Sequence, residues 1–170
     1  MVSESDSCIY NRTVVEFEDI YKRYWNKIFR LCMGYVNDYA LAQDMAQETF
    51  IKVWQCLPSF RHESNIDTWI FRIATNRCLR QLEREDKTLS VPFPVNLVEE
   101  DTPAMEPRIE LLYKFISELP EIDRIIISLE LEDVRQVDIA RIVGLSEGNV
   151  RVRIHRIKLL LTRKFEEYGE

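Results

Sequence analysis

Phe17, Ile20, Tyr24, Ile28, Leu31 and Tyr35 recur every three or four residues, so they share one stripe of a helix and predict its buried face. Asn37 or Asp38 can cap the next helix, whose apolar stripe runs Ala42, Ala46, Phe50, Val53 and Leu57 before Pro58 ends it. A third helix is predicted from about Asn65 or Asp67 to about Glu85. Plotted at about 100° per residue, it places Phe71, Cys78 and Leu82 on one face. Trp69, Ile73, Asn76, Arg80 and Arg84 share the other face, with Arg72 beside them. Pro92, Pro94, Pro103 and Pro107 then crowd a stretch that holds Glu99, Glu100 and Asp101 and no helical period, which predicts a flexible acidic linker over 86–107. Beyond it, Ile109, Leu112, Tyr113 and Ile116 mark an amphipathic helix, and Pro120 opens another carrying Ile122, Ile125, Ile126 and Leu129. Val137 to Val143 should end at Gly144, and Ser146 can cap a last helix from Glu147 to about Phe165. The expected fold is all-α, with two small helical domains.

Composition agrees with that pattern. The chain has 170 residues, 46% of them hydrophobic, and four glycines, too few turn residues for a sandwich or barrel. Its longest uncharged run, Thr88 to Val98, contains two prolines and is far shorter than the roughly 20 apolar residues that span a bilayer. Met1 to Asp6 lacks the basic cluster and apolar core of a secretory signal, so a cytoplasmic protein without membrane insertion is expected. Cys8, Cys32, Cys56 and Cys78 form no Cys-x-x-Cys pair, and three of them lie in amphipathic segments, where they read as small buried hydrophobes. No metal and no cofactor is expected.

The net charge of −6 is unevenly spread. Residues 61–84 carry 5 basic and 3 acidic side chains, residues 85–133 carry 4 and 13, and residues 134–170 carry 8 and 5. Asn149 to Lys164 holds six basic residues and no acid, a local field that favours phosphate contact despite the overall sign.

Gln136 opens a 20-residue window with Ala140 at its fifth place, Gly144 at its ninth and Val150 at its fifteenth, the spacing of a helix-turn-helix. The small residue lets two helices cross closely, glycine relieves the turn, and the branched residue pins the second helix. A plain helical hairpin would share this spacing. On the second helix Val150, Ile154, Ile157 and Leu161 point inward. Arg151, Val152, His155 and Arg156 point outward, flanked by Asn149, Arg153 and Lys158. Arginine can bind guanine edges bidentately and the flanking cations can meet phosphates; a merely solvated basic face is the alternative.

The Trp69, Ile73, Asn76, Arg72 and Arg80 face presents an aromatic, an amide and guanidiniums together, which suits strand separation and phosphate grip. Ahead of it, Phe60, Arg61, His62, Glu63, Ser64 and Asn65 form a polar loop able to receive an unstacked base, or an ordinary interhelical connection. On the second helix Asp44, Gln47, Glu48, Ile51 and Gln55 lie opposite the buried stripe, with Trp54 at the margin. Acids around an apolar contact suggest docking of a basic partner helix, a solvated face being the alternative.

Three segments then resemble the extracytoplasmic function (ECF) group of the sigma-70 family of bacterial RNA polymerase sigma factors. They are Asp44-Met-Ala-Gln-Glu-Thr-Phe-Ile-Lys-Val-Trp54, Thr68-Trp-Ile-Phe-Arg-Ile-Ala-Thr-Asn-Arg-Cys-Leu79 and Leu145-Ser-Glu-Gly-Asn-Val-Arg-Val-Arg-Ile-His-Arg156. The resemblance implies region 2 over 10–85, a linker over 86–107 and region 4 over 108–168. It implies that the Asp44, Gln47 and Glu48 surface engages the β′ clamp helices of core RNA polymerase, with the β subunit as a further contact. Phe60 to Asn65 would capture a flipped base of the −10 promoter element, with Trp69, Ile73 and Asn76 at the upstream edge of melting. His62 stands where many relatives have glycine, which bears on the captured base. The last helix would read the −35 element, the linker would thread toward the polymerase cleft, and an anti-sigma factor would be a further partner. A non-enzymatic promoter-specificity subunit is therefore expected. The rivals are a stand-alone helix-turn-helix regulator, which leaves the Asp44 to Gln55 face unexplained, and a small helical enzyme, for which no phosphate loop, metal-spaced cluster or nucleophile–base pair is present in the sequence.

Overall fold

The computed structural model describes the backbone of residues 4–61, 63–81 and 105–169, and side chains from residue 16 onward within them. His62, Leu82, Arg84, Glu85 and linker residues 86–104 lie outside the described residues, as does the side chain of Cys8.

Among the described residues there are seven α-helices and one 3-10 turn: α1 Glu4–Val36, α2 Tyr39–Cys56, the turn Leu57–Ser59, α3 Ile66–Arg80, α4 Pro107–Ser117, α5 Glu121–Leu131, α6 Gln136–Val143 and α7 Glu147–Gly169. Asp38 is the cap of α2, its carboxylate accepting from the Leu41 amide at 2.8 Å. Gly144 ends α6 with φ +72°, the left-handed conformation that glycine adopts without a Cβ penalty. Ser146 then starts α7, its hydroxyl accepting from the Asn149 amide at 3.2 Å.

Phe17, Ile28, Leu31, Ala42, Phe50, Val53, Ile70 and Ala74 join α1, α2 and α3 in a core that is fully or nearly fully closed to solvent. Beside it, Phe17 meets Trp54 edge-on at 5.1 Å, and Tyr21 packs on Phe50 at 4.9 Å and on Trp25 at 5.1 Å. Cys32 and Cys78 are both buried, and hydrogen bonding between them together with burial holds the Cys32 thiol well above its ordinary range, so it stays protonated. In the C-terminal half, Ile116, Ile125, Ile126, Leu129, Ile139, Val150 and Ile154 form the corresponding core.

These cores merge. Leu31, Cys32, Met33, Gly34 and Tyr35 are five successive buried residues, so the end of α1 is covered all round: α2 and α3 lie on one side, α4 and α5 on the other. α1 is thus the element shared by the two halves.

Tyr24 ties α1 to the first turn of α3 by donating its hydroxyl hydrogen to Asp67. Burial first, then the Asp67 hydrogen bond and charge, push its phenol from 10.0 up to about 12. Above pH 10 the unfolded tyrosine ionises before the folded one. This tie therefore stabilises fully below pH 10 and fades as pH rises toward 12. Tyr24→Phe is expected to cost about 1 kcal/mol at neutral pH and to flatten the alkaline fall in stability, measured by urea denaturation at several pH values.

Candidate nucleic-acid interface and docking face

α6 and α7 cross as a helix-turn-helix. Ala140 is buried at the crossing, and the Leu145 amide donates back to its carbonyl at 3.0 Å, closing the turn after Gly144. Val150, Ile154, Ile157 and Leu161 are all buried, which orients the remainder of α7 outward. Asn149, Arg151, Val152, His155, Arg156 and Lys158 are exposed, and Arg153 is half-buried.

Acids hold several of these cations. Arg151 pairs with Glu147 one turn earlier at 3.0 Å, a fully surface contact that a base edge can displace. Arg153 instead bridges elements: its Nη1 donates to Asp123 of α5 at 2.6 Å and its Nε to Asn149 at 2.8 Å. Lys158 reaches Glu130 of α5 at 2.7 Å. The expected flank of phosphate contacts is therefore partly neutralised in place, and Arg153 helps fix α7 on α5. Asp138, buried on α6, was not singled out by the pattern; Arg135 at 2.7 Å and Arg141 at 3.2 Å neutralise it.

The second surface lies on α3. Trp69 is half-buried, its ring 4.8 Å from that of Phe60, so the indole supports the loop as well as facing outward. Arg61, Glu63, Ser64 and Asn65 are exposed along that loop, and Arg72, Asn76 and Arg80 are exposed on the helix, with Ile73 half-buried. The structure brings these residues onto one side of the bundle, where Arg61, Trp69 and Arg72 also face Arg135 and Arg141 across a cleft.

The docking face on α2 is more integrated than the pattern predicts. Asp44 and Gln55 are exposed, whereas Gln47, Glu48, Ile51 and Trp54 are half-buried. Trp54 belongs to the aromatic cluster with Phe17, and Glu48 forms an ion pair with Arg77 of α3. Arg77 carries no periodic signal, because its partner lies on another helix.

Comparison with known proteins yields a consistent set of matches. The family description "Sigma-70 region 2" matches residues 20–88, and "Sigma-70, region 4" matches residues 109–161. The chain is 31% identical over 166 residues to the ECF RNA polymerase sigma-E factor of Haemophilus influenzae, covering 88% of this chain and 87% of that protein. It is 25% identical over 167 residues to the ECF RNA polymerase sigma factor SigW of Bacillus subtilis, covering 89% of each. Among solved structures, CnrH in complex with the cytosolic domain of CnrY aligns with TM-score 0.68 at 18% identity, covering 89% of this chain and 88% of that one. The sigma factor RpoE in complex with the anti-sigma factor NepR from Bartonella quintana aligns with TM-score 0.68 at 19% identity, covering 89% and 97%. At those identities the structural likeness speaks to the fold.

Proposed function

Because the chain belongs to the ECF group of the sigma-70 family of RNA polymerase sigma factors, we propose specific roles for its three surfaces in promoter recognition. As a sigma factor it directs core RNA polymerase to promoters and promotes initiation; its α6–α7 unit reads the −35 element, and Arg151, Val152, His155 and Arg156 face the bases. Asn149, Arg153 and Lys158 lie beside the phosphates. The loop with Arg61, His62, Glu63, Ser64 and Asn65 receives an extruded −10 base, while Trp69, Ile73 and Asn76 flank the melted edge and Arg72 and Arg80 hold its backbone. Asp44, Gln47, Glu48, Ile51, Trp54 and Gln55 form the face for the β′ clamp helices. Residues 10–85 and 108–168 act as regions 2 and 4, joined by 86–107. The role is binding and strand separation in the cytoplasm, without a catalytic residue, and an anti-sigma factor is the expected inhibitor. Among the described residues, no helix is long and apolar enough to cross a membrane.

The observation that carries this reading is the α7 geometry: a buried aliphatic row pins a helix whose outer face is cationic. The stand-alone regulator shares that α7 geometry and differs in giving the α2 face no task.

Asp44→Arg tests the assignment. Asp44 is exposed, so reversal should leave stability within about 0.5 kcal/mol of wild type. Core polymerase affinity should fall at least about tenfold, because a like charge now meets a basic partner surface. Titration of labelled core polymerase and run-off transcription read the two effects; unchanged affinity would favour the stand-alone regulator.

A further inference from the structure

The roles proposed above leave Arg135 and Arg141 of α6 unused, yet both line a cleft with Arg61 and Arg72. The cleft measures about 810 Å³, within the roughly 300–1,000 Å³ typical of small-molecule sites. Its walls bring four guanidiniums together against two carboxylates, Glu63 and Asp138. Like charges repel, so this convergence costs free energy in the empty cleft and becomes favourable once an anion lies between the guanidiniums.

Each wall is prepared differently. On α6 the buried Asp138 carboxylate holds both arginines from inside, Oδ2 accepting from Arg135 Nε at 2.7 Å and Oδ1 from Arg141 Nη1 at 3.2 Å. One carboxylate offsets only one of the two charges. A guanidinium has about five N–H donors, so each of these arginines keeps several uncommitted. On the opposite wall Arg61 and Arg72 are exposed, and among the described residues neither has a hydrogen-bond or ion-pair partner. Trp69 and Phe60 line the cleft beside them, their rings 4.8 Å apart.

This chemistry narrows the ligand. A single phosphate satisfies the arginines of one wall, whereas both walls together call for a chain of phosphates, whose oxygens accept the guanidinium forks. The indole adds a surface on which a base can stack. We propose that the cleft binds a nucleoside polyphosphate, its phosphate chain held between Arg61 and Arg72 on one side and Arg135 and Arg141 on the other, with its base on Trp69. Arg61, Trp69 and Arg72 are also the groups assigned above to the −10 strand, so nucleotide and strand exclude each other. That exclusion, unlike the site itself, rests on the promoter reading.

Isothermal titration calorimetry of the full chain with ATP, AMP and inorganic triphosphate tests the site. At about 0.15 M salt the screening length is about 8 Å, which suppresses diffuse attraction to a basic surface. ATP should bind at least about tenfold more tightly than AMP or inorganic triphosphate. Arg72→Ala and Arg141→Ala should each weaken ATP about tenfold, whereas Arg108→Ala, exposed on α4 outside the cleft, should not. Arg141→Ala leaves Arg135 on Asp138, and Arg72 has no pair to break, so helicity by circular dichroism should match wild type. Adenine stacking should quench tryptophan fluorescence in wild type and not in Trp69→Phe, which keeps an aromatic ring against Phe60. Absent ATP binding, equal affinity for ATP and AMP, or the same affinity in Arg72→Ala, Arg141→Ala and Arg108→Ala overturns the site. Equal affinity for ATP and inorganic triphosphate, or quenching that persists in Trp69→Phe, overturns the seat of the base. Exclusion is read by anisotropy of a labelled single strand from the −10 region of a selected promoter: ATP should displace it, with about tenfold more ATP needed in Arg141→Ala. ATP that binds without displacing the strand overturns exclusion. A strand that fails to bind the wild-type chain counts against the −10 assignment of α3, and calorimetry still decides the site.

Discussion

Replacing Arg151 and Arg156 together with alanine is expected to remove detectable −35 protection from the holoenzyme footprint while leaving α7 folded. Both side chains leave the helix on its solvent side, between residues of the buried row. A bidentate arginine–guanine contact is worth roughly 1–3 kcal/mol of discrimination, so losing two should lower site affinity by about two orders of magnitude or more. The Arg151–Glu147 pair does not compete strongly, because an exposed pair one turn apart contributes only about 0.3–0.5 kcal/mol. Nor does the fold depend on either arginine: Val150, Ile154, Ile157 and Leu161 fix the helix from its other side. Arg153→Ala is the contrasting control, since it breaks the tie to Asp123 and should reduce the thermal midpoint as well. Footprinting on a selected promoter, paired with circular dichroism, separates these cases. Protection that survives the double substitution would mean that another face of α7 reads the DNA.

The helices were legible because each buries one stripe, and a stripe is a local property of the chain. Capping was legible for the same reason: Asp38 and Ser146 act within three residues of themselves. What escaped was everything set by distant partners. α7 continues past Phe165 to Gly169 because Phe165 and Tyr168 pack on Phe115 of α4 at 5.1 and 6.3 Å, a tertiary contact with no trace in the periodicity. Arg30 and Glu132 are 102 residues apart, and no spacing rule joins them. One missed signal was present in the chain. Leu31-Cys-Met-Gly-Tyr-Val36 is an unbroken apolar run inside a helix, which means burial on more than one side, whereas the periodic stripe takes in only its Leu31 and Tyr35.

The candidate surfaces divide in the same way. Arg151, His155, Arg156, Asn76 and Asp44 were placed on outer faces by angular position, and all are exposed. Ile51 reads as an apolar contact among acids with Trp54 at its margin, yet Trp54 is already engaged with Phe17 and Glu48 with Arg77. A residue that faces away from its own helix's core can still meet a neighbouring helix. Substituting Glu48 therefore disturbs the α2–α3 junction as well as docking, which is why Asp44 is the cleaner probe.

Trp69→Ala and Asn76→Ala holoenzymes are expected to form closed promoter complexes normally and open ones poorly. Stacking of an unpaired base on an indole is worth roughly 1–3 kcal/mol, so its loss should shift the opening equilibrium at least about tenfold against melting. The two substitutions fail for different reasons. Asn76 is exposed on α3, and its removal takes away only a hydrogen-bonding amide. Trp69 is half-buried with its ring 4.8 Å from Phe60, so its removal also slackens the loop in front of the helix, and its defect should be the larger. Neither side chain contributes to the −35 contacts on α7, so duplex binding that depends on α7 should persist. Permanganate reactivity of unpaired thymines measures opening directly, and a template with a pre-melted −10 bubble should restore most of the lost transcription because the unstacking step is then already complete. Recovery should be more complete for Asn76→Ala than for Trp69→Ala, whose loop remains slack on any template. Wild-type thymine reactivity in both variants would show that this face of α3 takes no part in strand separation, and would leave the −10 role to the loop alone.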